Sequence, residues 1–231
     1  MVKIMGKDII GSAFSSTGEG FVGNWMKWIL LIVCTFVQGI TAGIIPLLNG
    51  YIIRIFSENE NAPEINQWGK LFVDGWKFNI VCILYMIPAI IIGLVFGLFA
   101  FLPAVMGFAF SGNTEEVLAI FGILTGLIIT GVVILIMALL MFMGLVRLGK
   151  TGKIGEAFNF SAITKQITNG TGWLGYIGHC VILWIIFVIY IVVISLLSLV
   201  PFLGIILGII ITPLVGVFSA YYLKNIYEAG N

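Results

Sequence analysis

The sequence has few charged residues, which make up 9% of its 231 positions, whereas soluble domains typically have about a quarter. The formal net charge is only +1, so the sequence does not indicate a basic surface that could neutralise nucleic-acid phosphates. The motifs GxSxG, HExxH, the P-loop and GxGxxG are also missing. We therefore expect no large soluble domain, no nucleic-acid partner and no enzymatic activity.

Cysteine and histidine are also scarce. The three cysteines, Cys34, Cys82 and Cys180, lie in or beside apolar runs and form no CxxC pair, which favours small buried side chains over a disulfide framework. The single histidine, His179, has no second metal-binding residue at helical spacing. We expect neither a metal site nor any other cofactor, and we interpret His179 as a hydrogen-bonded structural residue.

Long apolar runs dominate what is present, and 61% of the residues are hydrophobic. Because a membrane-spanning helix needs about 20 apolar residues, the predicted fold class is all-α. We expect a polytopic membrane protein with about five full spans, or six if the first run forms a short hairpin, plus interfacial amphipathic helices. The single membrane domain, 1–231, is divided into an N-terminal interfacial segment (1–24), a first apolar run (25–56), an interfacial helix (62–78), a hairpin (78–146), an interfacial loop (147–172), a second hairpin (173–223) and a tail (224–231).

The first apolar run can be interpreted in two ways. Its charged ends, Lys27 and Arg54, enclose 26 residues, which would extend about 39 Å as a straight helix. That length is long for one span and short for two. Gly39, Gly43 and Pro46 in its middle would allow the chain to turn back, and we favour this second form.

The stretch 62–78 predicts a helix that begins near Glu64 and lies in the headgroup layer. Tryptophans on an apolar face with lysines opposite are typical of an interfacial helix. The apolar face carries Ile65, Trp68, Phe72 and Trp76, and the polar face carries Gln67, Lys70, Asp74 and Lys77. As interfacial anchors we expect Trp68, Phe72, Trp76, Lys70, Lys77 and Arg54.

Small residues at a spacing of four recur in the apolar runs. Membrane helices pack closely on such residues, because burial away from lipid brings no hydrophobic gain. The spacing predicts helix packing, with homodimerisation as an alternative, at Gly39, Gly43, Gly93, Gly97, Gly122, Gly126, Gly204 and Gly208.

Three amides stand out within the apolar sequence. Gln38, Asn49 and Asn79 lie in or beside hydrophobic runs, where each polar side chain must find a partner. Together they form a candidate polar cavity.

The pattern of an interfacial stretch followed by a hairpin occurs three times, which predicts an internal repeat with a shortened first hairpin. Basic residues in short loops mark the cytoplasmic side. If the first run turns back, all 11 basic residues lie inside, and the acidic turn with Glu115 and Glu116 lies outside. We expect a multi-pass protein of the cell membrane whose basic loops and C-terminus are cytoplasmic.

Two neighbouring motifs carry a resemblance to a known family. PLLNGYIIRIF and APEINQWGKLFVDGWKF contain Pro46, Gly50, Tyr51, Arg54, Pro63, Glu64, Trp68, Phe72, Asp74 and Gly75. In these residues the chain resembles the mainly archaeal membrane family called domain of unknown function 4013. It departs from the family in having Asn66 and Gln67 where aspartates are usual. The resemblance implies a membrane protein and imports no activity.

These features favour a non-enzymatic membrane protein that organises membrane lipids or a partner membrane protein. The alternative is a small-molecule or lipid transporter or channel, which proline-broken helices and an internal repeat would support.

Overall fold

The structure is a computed structural model that describes residues 6–58, 62–106, 113–200 and 202–230. Every regular element in these ranges is helical and none is a strand, which confirms the all-α prediction. The helices are α1 (Gly6–Phe21), α2 (Trp25–Ile40), α3 (Leu47–Ser57), α4 (Trp68–Met106), α5 (Asn113–Thr151), a short 3-10 helix (Ile154–Phe158), α6 (Phe160–Asn169), α7 (Gly172–Leu197) and α8 (Leu203–Glu228).

Some predicted features fall outside this description. Lys3, one of the 11 basic residues, and the first two residues of the acidic turn (111–112) lie outside the described residues. The same holds for the side chains of Lys7, Glu115 and Glu116, although their backbone belongs to α1 and α5.

Four helices of the described chain are long and apolar enough to cross a membrane. At 26 to 31 residues each, they extend about 39 to 47 Å, more than the hydrocarbon core of about 30 Å. A fifth span exists only if α1 and α2, which meet at a bend of 103°, are counted as one broken span. The four segments are Trp68–Leu98, Phe121–Thr151, Gly172–Leu197 and Leu203–Glu228, and they confirm the class of polytopic helical membrane protein.

The first apolar run turns back on itself. Ala42 and Gly43 have positive φ angles of 49° and 80° between α2 and α3, a conformation that reverses the chain. Lys27, in the first turn of α2, donates to the carbonyl oxygen of Ala62, which follows α3, at 3.0 Å. The far ends of the two helices are therefore close together. Because α2 and α3 are only about 24 and 17 Å long, neither alone spans the hydrocarbon core, and the turned-back form is correct.

The helix predicted from Glu64 begins four residues later, at Trp68. The preceding segment, 62–67, is not helical, and Ala62 and Gln67 within it have positive φ angles of 51° and 53°. Ile65 is buried in this segment and does not share a helix face with the tryptophans. The predicted interfacial helix is also not separate, because α4 continues without a break into the span that follows.

The chain forms two compact units, one of Met1–Val81 with Phe142–Asn231 and the other of Cys82–Met141. In the second unit, α4 and α5 lie side by side. A Cβ atom on Gly126 would overlap the side chain of Phe96, and one on Gly93 would lie 3.7 Å from Thr130 Cγ2. Many large apolar side chains of this unit are exposed, as expected for helices that face lipid.

Candidate functional site

Side chains from three helices hold the non-helical segment 62–67 in place. The Tyr51 hydroxyl donates to the Pro63 carbonyl oxygen at 3.0 Å. Arg54 Nη1 donates to the Glu64 carbonyl oxygen at 2.5 Å and to Asn66 Oδ1 at 3.0 Å. Backbone groups of an irregular segment need such partners when water is excluded.

Two further side chains complete this arrangement from α2 and α8. Lys27 bonds the Ala62 carbonyl oxygen and forms an ion pair with Glu64 at 2.7 Å. The Ala62 backbone N–H donates to the hydroxyl of Tyr221. We call segment 62–67 with Lys27, Tyr51, Arg54 and Tyr221 the clamp, because it fixes where α4 begins.

Arg54 is the most deeply buried charge of the clamp, with 5% of its surface exposed. Its Nε lies 4.0 Å from Glu58 Oε1, and its Nη2 is buried without a hydrogen-bond partner among the described residues. A buried guanidinium depends on the groups that surround it, since its hydration is lost. Burial also raises the pKa of the Tyr51 phenol, which therefore stays a hydrogen-bond donor at neutral pH.

Two glycines allow α3 and α4 to touch backbone to backbone next to the clamp. A Cβ atom on Gly50 would overlap the Leu71 carbonyl, and one on Gly75 would overlap the Pro46 carbonyl. Both glycines belong to the motifs that resemble the family, but they lie outside the small-residue spacing that predicted helix packing. A backbone contact of this kind leaves no periodic signal, so only the motif could have pointed to them.

The predicted polar residues Gln38, Asn49 and Asn79 come together as one hydrogen-bonded chain. Gln38 Nε2 donates to Asn49 Oδ1 at 3.0 Å, and the Asn49 backbone N–H donates to Gln38 Oε1 at 3.2 Å. Asn49 Nδ2 donates to Asn79 Oδ1 at 2.7 Å, and Asn79 Nδ2 donates to the Gly43 carbonyl oxygen at 3.0 Å. This amide chain ties the α2–α3 turn to α4, and its members bond one another.

The last three turns of α8 connect the surrounding elements. Tyr221, Tyr222 and Lys224 are buried there, and Lys224 donates to the Glu58 carbonyl oxygen. The other contacts are Asn225 Nδ2 to Ser12 Oγ (2.8 Å), Gln166 Nε2 to the Tyr227 carbonyl (2.7 Å), Arg147 Nη1 to the Tyr227 hydroxyl (3.4 Å) and Lys150 Nζ to Glu228 Oε1 (2.6 Å). We call this region, together with the clamp, the polar end.

One ion pair of the polar end ties the 3-10 helix to α5. Arg147 donates from Nε and Nη2 to Glu156 Oε2, at 2.9 and 2.5 Å. The hydrogen bond from Arg147 lowers the pKa of the Glu156 carboxyl, so the pair is fully charged at neutral pH.

The predicted aromatic anchors at the start of α4 are exposed. Trp68, Phe72 and Trp76 retain 45%, 39% and 37% of their surface. Lys70 is exposed, and Lys77 pairs with Asp74 at 2.8 Å. Arg54, which the sequence grouped with these anchors, instead lies in the clamp.

The predicted packing glycines have different surroundings. Gly93 and Gly126 lie at the α4–α5 contact, while Gly204 and Gly208 lie beside Ser198 and Ile194 at the α7–α8 contact. Gly43 forms the α2–α3 turn. Cβ atoms would meet nothing within 4 Å at Gly39, Gly97 and Gly122.

His179 bonds a tyrosine of α8. Its Nδ1 lies 2.9 Å from the Tyr222 hydroxyl, and that hydroxyl is 3.3 Å from the His179 carbonyl oxygen. Within the described part of the chain, no three His, Cys, Asp or Glu residues lie close enough together to hold a metal ion.

Among the described residues of the first unit, two cavities have mainly apolar linings. One of about 280 Å³ is bordered by Phe14, Phe21, Trp28 and Phe218, among others. Another of about 390 Å³ lies between α2 and α8 at the small-residue positions Gly39, Gly204 and Gly208.

The four apolar helices, the turned-back hairpin and the polar end define a polytopic α-helical membrane protein. The family model described as Protein of unknown function (DUF4013) matches residues 29–199. Because this match covers well over half of the sequence, the chain belongs to that family. Comparisons with curated proteins and with solved structures gave no match.

Proposed function

We propose that this protein is a non-enzymatic component of the cell membrane that organises lipids or a partner membrane protein. The observation that carries the proposal is the exposed aromatic face of α4, formed by Trp68, Phe72 and Trp76. Tryptophan side chains favour the headgroup level, where their apolar rings and polar N–H groups are both accommodated.

The clamp gives this aromatic face a fixed position. Since Arg54 and Tyr51 bind the backbone just before α4, the helix start cannot slide without breaking buried hydrogen bonds. Gly50 brings the backbone of α3 against α4 at Leu71, and Gly75 brings the backbone of α4 against Pro46, the N-cap of α3. A rigidly held aromatic face would anchor the surrounding lipid, or a neighbouring protein, at a defined depth.

The distribution of charge supports a cytoplasmic polar end. Lys27 and Arg54 lie beside segment 62–67, and Arg147 and Lys150 contact the end of α8. Basic residues thus gather at one end of the first unit, and such an excess marks the cytoplasmic side. In this orientation the C-terminus lies inside the cell.

Transport is the weaker proposal, because it needs a polar path through the membrane. Gln38, Asn49 and Asn79, the strongest candidates for lining one, donate and accept among themselves and to Gly43. The two cavities described above have mainly apolar linings. Both features are those of a packed scaffold.

Native mass spectrometry of the protein, extracted gently from its own membrane, tests the proposal. We expect a recurring additional mass that corresponds to a lipid or to a partner subunit. A bare chain or bare homodimer without any retained mass would overturn the proposal, and flux assays in liposomes would then be the next experiment.

A pair of variants tests whether the aromatic face is responsible. Trp68→Ala combined with Trp76→Ala should reduce the retained mass several-fold. The matched control is Trp184→Ala, because Trp184 is 66% exposed but lies near the middle of α7, away from the headgroup level. Equal losses in both variants would argue against a role specific to the start of α4.

A further inference from the structure

In the first unit, some basic side chains have an ion-pair or hydrogen-bond partner and others have none among the described residues. Most of its described basic side chains have a partner. Five of them form ion pairs with carboxylates, and Lys224 is buried against the Glu58 carbonyl oxygen. The five pairs are Lys27–Glu64, Arg54–Glu58, Lys77–Asp74, Arg147–Glu156 and Lys150–Glu228.

Three exposed lysines remain without an ion-pair or hydrogen-bond partner for the side chain among the described residues: Lys70, Lys153 and Lys165. No described carboxylate forms an ion pair with them. Five carboxylates belong to the pairs above, and Glu19 accepts from the Ser15 hydroxyl at 2.5 Å. Lys153 helps to lower the pKa of Glu156, but that carboxylate is already bonded by Arg147.

The unpaired lysines lie on elements of the polar end. Lys70 is in the first turn of α4, and in the sequence it lies between Trp68 and Phe72. Lys153 immediately precedes the 3-10 helix, and Lys165 adjoins Gln166, which bonds the end of α8. This end of the molecule therefore carries positive charge that its own described carboxylates do not balance.

Two of the lysine-bearing helices also carry exposed aromatic side chains. Trp68 on α4 is 45% exposed, and Phe160 at the start of α6 is 46% exposed. Lysines together with exposed aromatic residues are typical of helices that lie against a lipid surface and are attracted to anionic lipids. We propose that the polar end binds the headgroups of anionic phospholipids through Lys70, Lys153 and Lys165. This inference rests on the proposed function and names the lipid class involved.

The test measures the retention of phosphatidylglycerol relative to phosphatidylcholine by native mass spectrometry, after reconstitution in vesicles that contain both. We expect the wild-type protein to retain phosphatidylglycerol preferentially, and added salt to weaken this preference. Each lysine near an anionic surface contributes about fivefold in affinity. The triple variant Lys70→Gln, Lys153→Gln, Lys165→Gln should therefore lose about a hundredfold of the preference.

Two controls separate charge from structure. Replacing the same three lysines by arginine keeps the charge and should keep the preference. Lys150→Gln with Glu228→Gln removes an ion pair of the same end without altering the net charge, and should also leave the preference unchanged. Thermal unfolding of each variant verifies that the proteins compared are folded.

The remaining outcomes distinguish this inference from the proposed function. Retention of lipid without preference for phosphatidylglycerol, or an unchanged preference in the glutamine variant, would overturn the inference alone. Lysine-dependent retention of an acidic protein subunit in place of phosphatidylglycerol would also overturn it. Retention of neither lipid nor protein would overturn the proposed function itself.

Discussion

The first and second halves of α8 are equal in length but differ in burial and in hydrogen bonding. In the first half, Ile205 and Ile206 are 63% and 54% exposed. In the second half, Tyr221, Tyr222 and Lys224 are buried, and each bonds a different part of the chain.

The difference follows from the surroundings of each half, which are lipid for the first and the polar end for the second. In lipid, moving an apolar side chain away from the bilayer gains little, because the lipid tails are equally apolar. The exposed positions of this half can thus tolerate many apolar side chains. At the polar end, the buried backbone of segment 62–67 needs hydrogen-bond partners, and particular side chains supply them. We infer that the specificity of the fold resides mainly at the polar end, and substitutions can test this.

Arg54→Met should produce the largest loss of stability. It removes the donor to the Glu64 carbonyl oxygen and leaves Glu58 without its ion-pair partner. Each hydrogen bond from a charged donor contributes about 1.5–3 kcal/mol. Arg54 makes two of them, to the Glu64 carbonyl oxygen and to Asn66 Oδ1, so the total loss should be about 3–6 kcal/mol. Thermal unfolding in detergent should show a marked fall in the midpoint. Ile205→Ala, in the apolar half of α8, should change the free energy of unfolding by less than about 0.5 kcal/mol, and equal effects would refute the contrast.

Gly50→Ala and Gly75→Ala should each destabilise the protein by about 1–3 kcal/mol, occasionally more. The added methyl group would overlap a backbone carbonyl of Leu71 or Pro46, and backbone cannot move aside as a flexible side chain can. Gly69→Ala, on α4 like Gly75, is the control, because a Cβ atom there meets nothing within 4 Å. Unfolding midpoints that do not separate Gly50→Ala from Gly69→Ala would contradict the close contact of α3 and α4.

The sequence predicts the apolar membrane-spanning helices better than the polar end. Runs of apolar residues directly predict the spans, since length and hydropathy are the properties that a bilayer selects. Gly39, Gly43 and Pro46 also allow the first run to turn back, as predicted from the sequence. Gly43 does make the turn with a positive φ angle.

The start of α4 could not be predicted in the same way. The pattern from Glu64 onward fits a helix, but Tyr51, Arg54 and Tyr221 bind the backbone of segment 62–67 in another conformation. Those contacts join residues up to 159 positions apart, so no local pattern contains them. Gln38, Asn49 and Asn79 could be singled out by their polarity, whereas their pairing depended on how α2, α3 and α4 meet.

Asn79→Leu should cost about 1–2 kcal/mol, less than the substitutions in the clamp, because hydrogen bonds between membrane helices contribute modestly. The change removes two bonds of the amide chain, to Asn49 and to the Gly43 carbonyl oxygen. A double-mutant cycle with Gln38→Leu should give a non-additive free energy, since both residues act through Asn49. Strict additivity would mean that the amide chain does not act as one unit.

Acidification should remove the smallest contribution, that of the ion pair between Arg147 and Glu156. Because Arg147 lowers the pKa of Glu156 in the folded state, the folded protein resists protonation of this carboxyl more than the unfolded chain does. The resulting stabilisation is complete above the unfolded-state pKa of about 4.3 and is lost as the pH falls through the lower folded-state pKa. The wild type should therefore unfold at a higher temperature than Glu156→Gln at pH 7, and this difference should shrink in acid. A difference that is unchanged in acid would show that Glu156 stabilises the polar end by packing or neutral hydrogen bonding, and that its charge contributes nothing there.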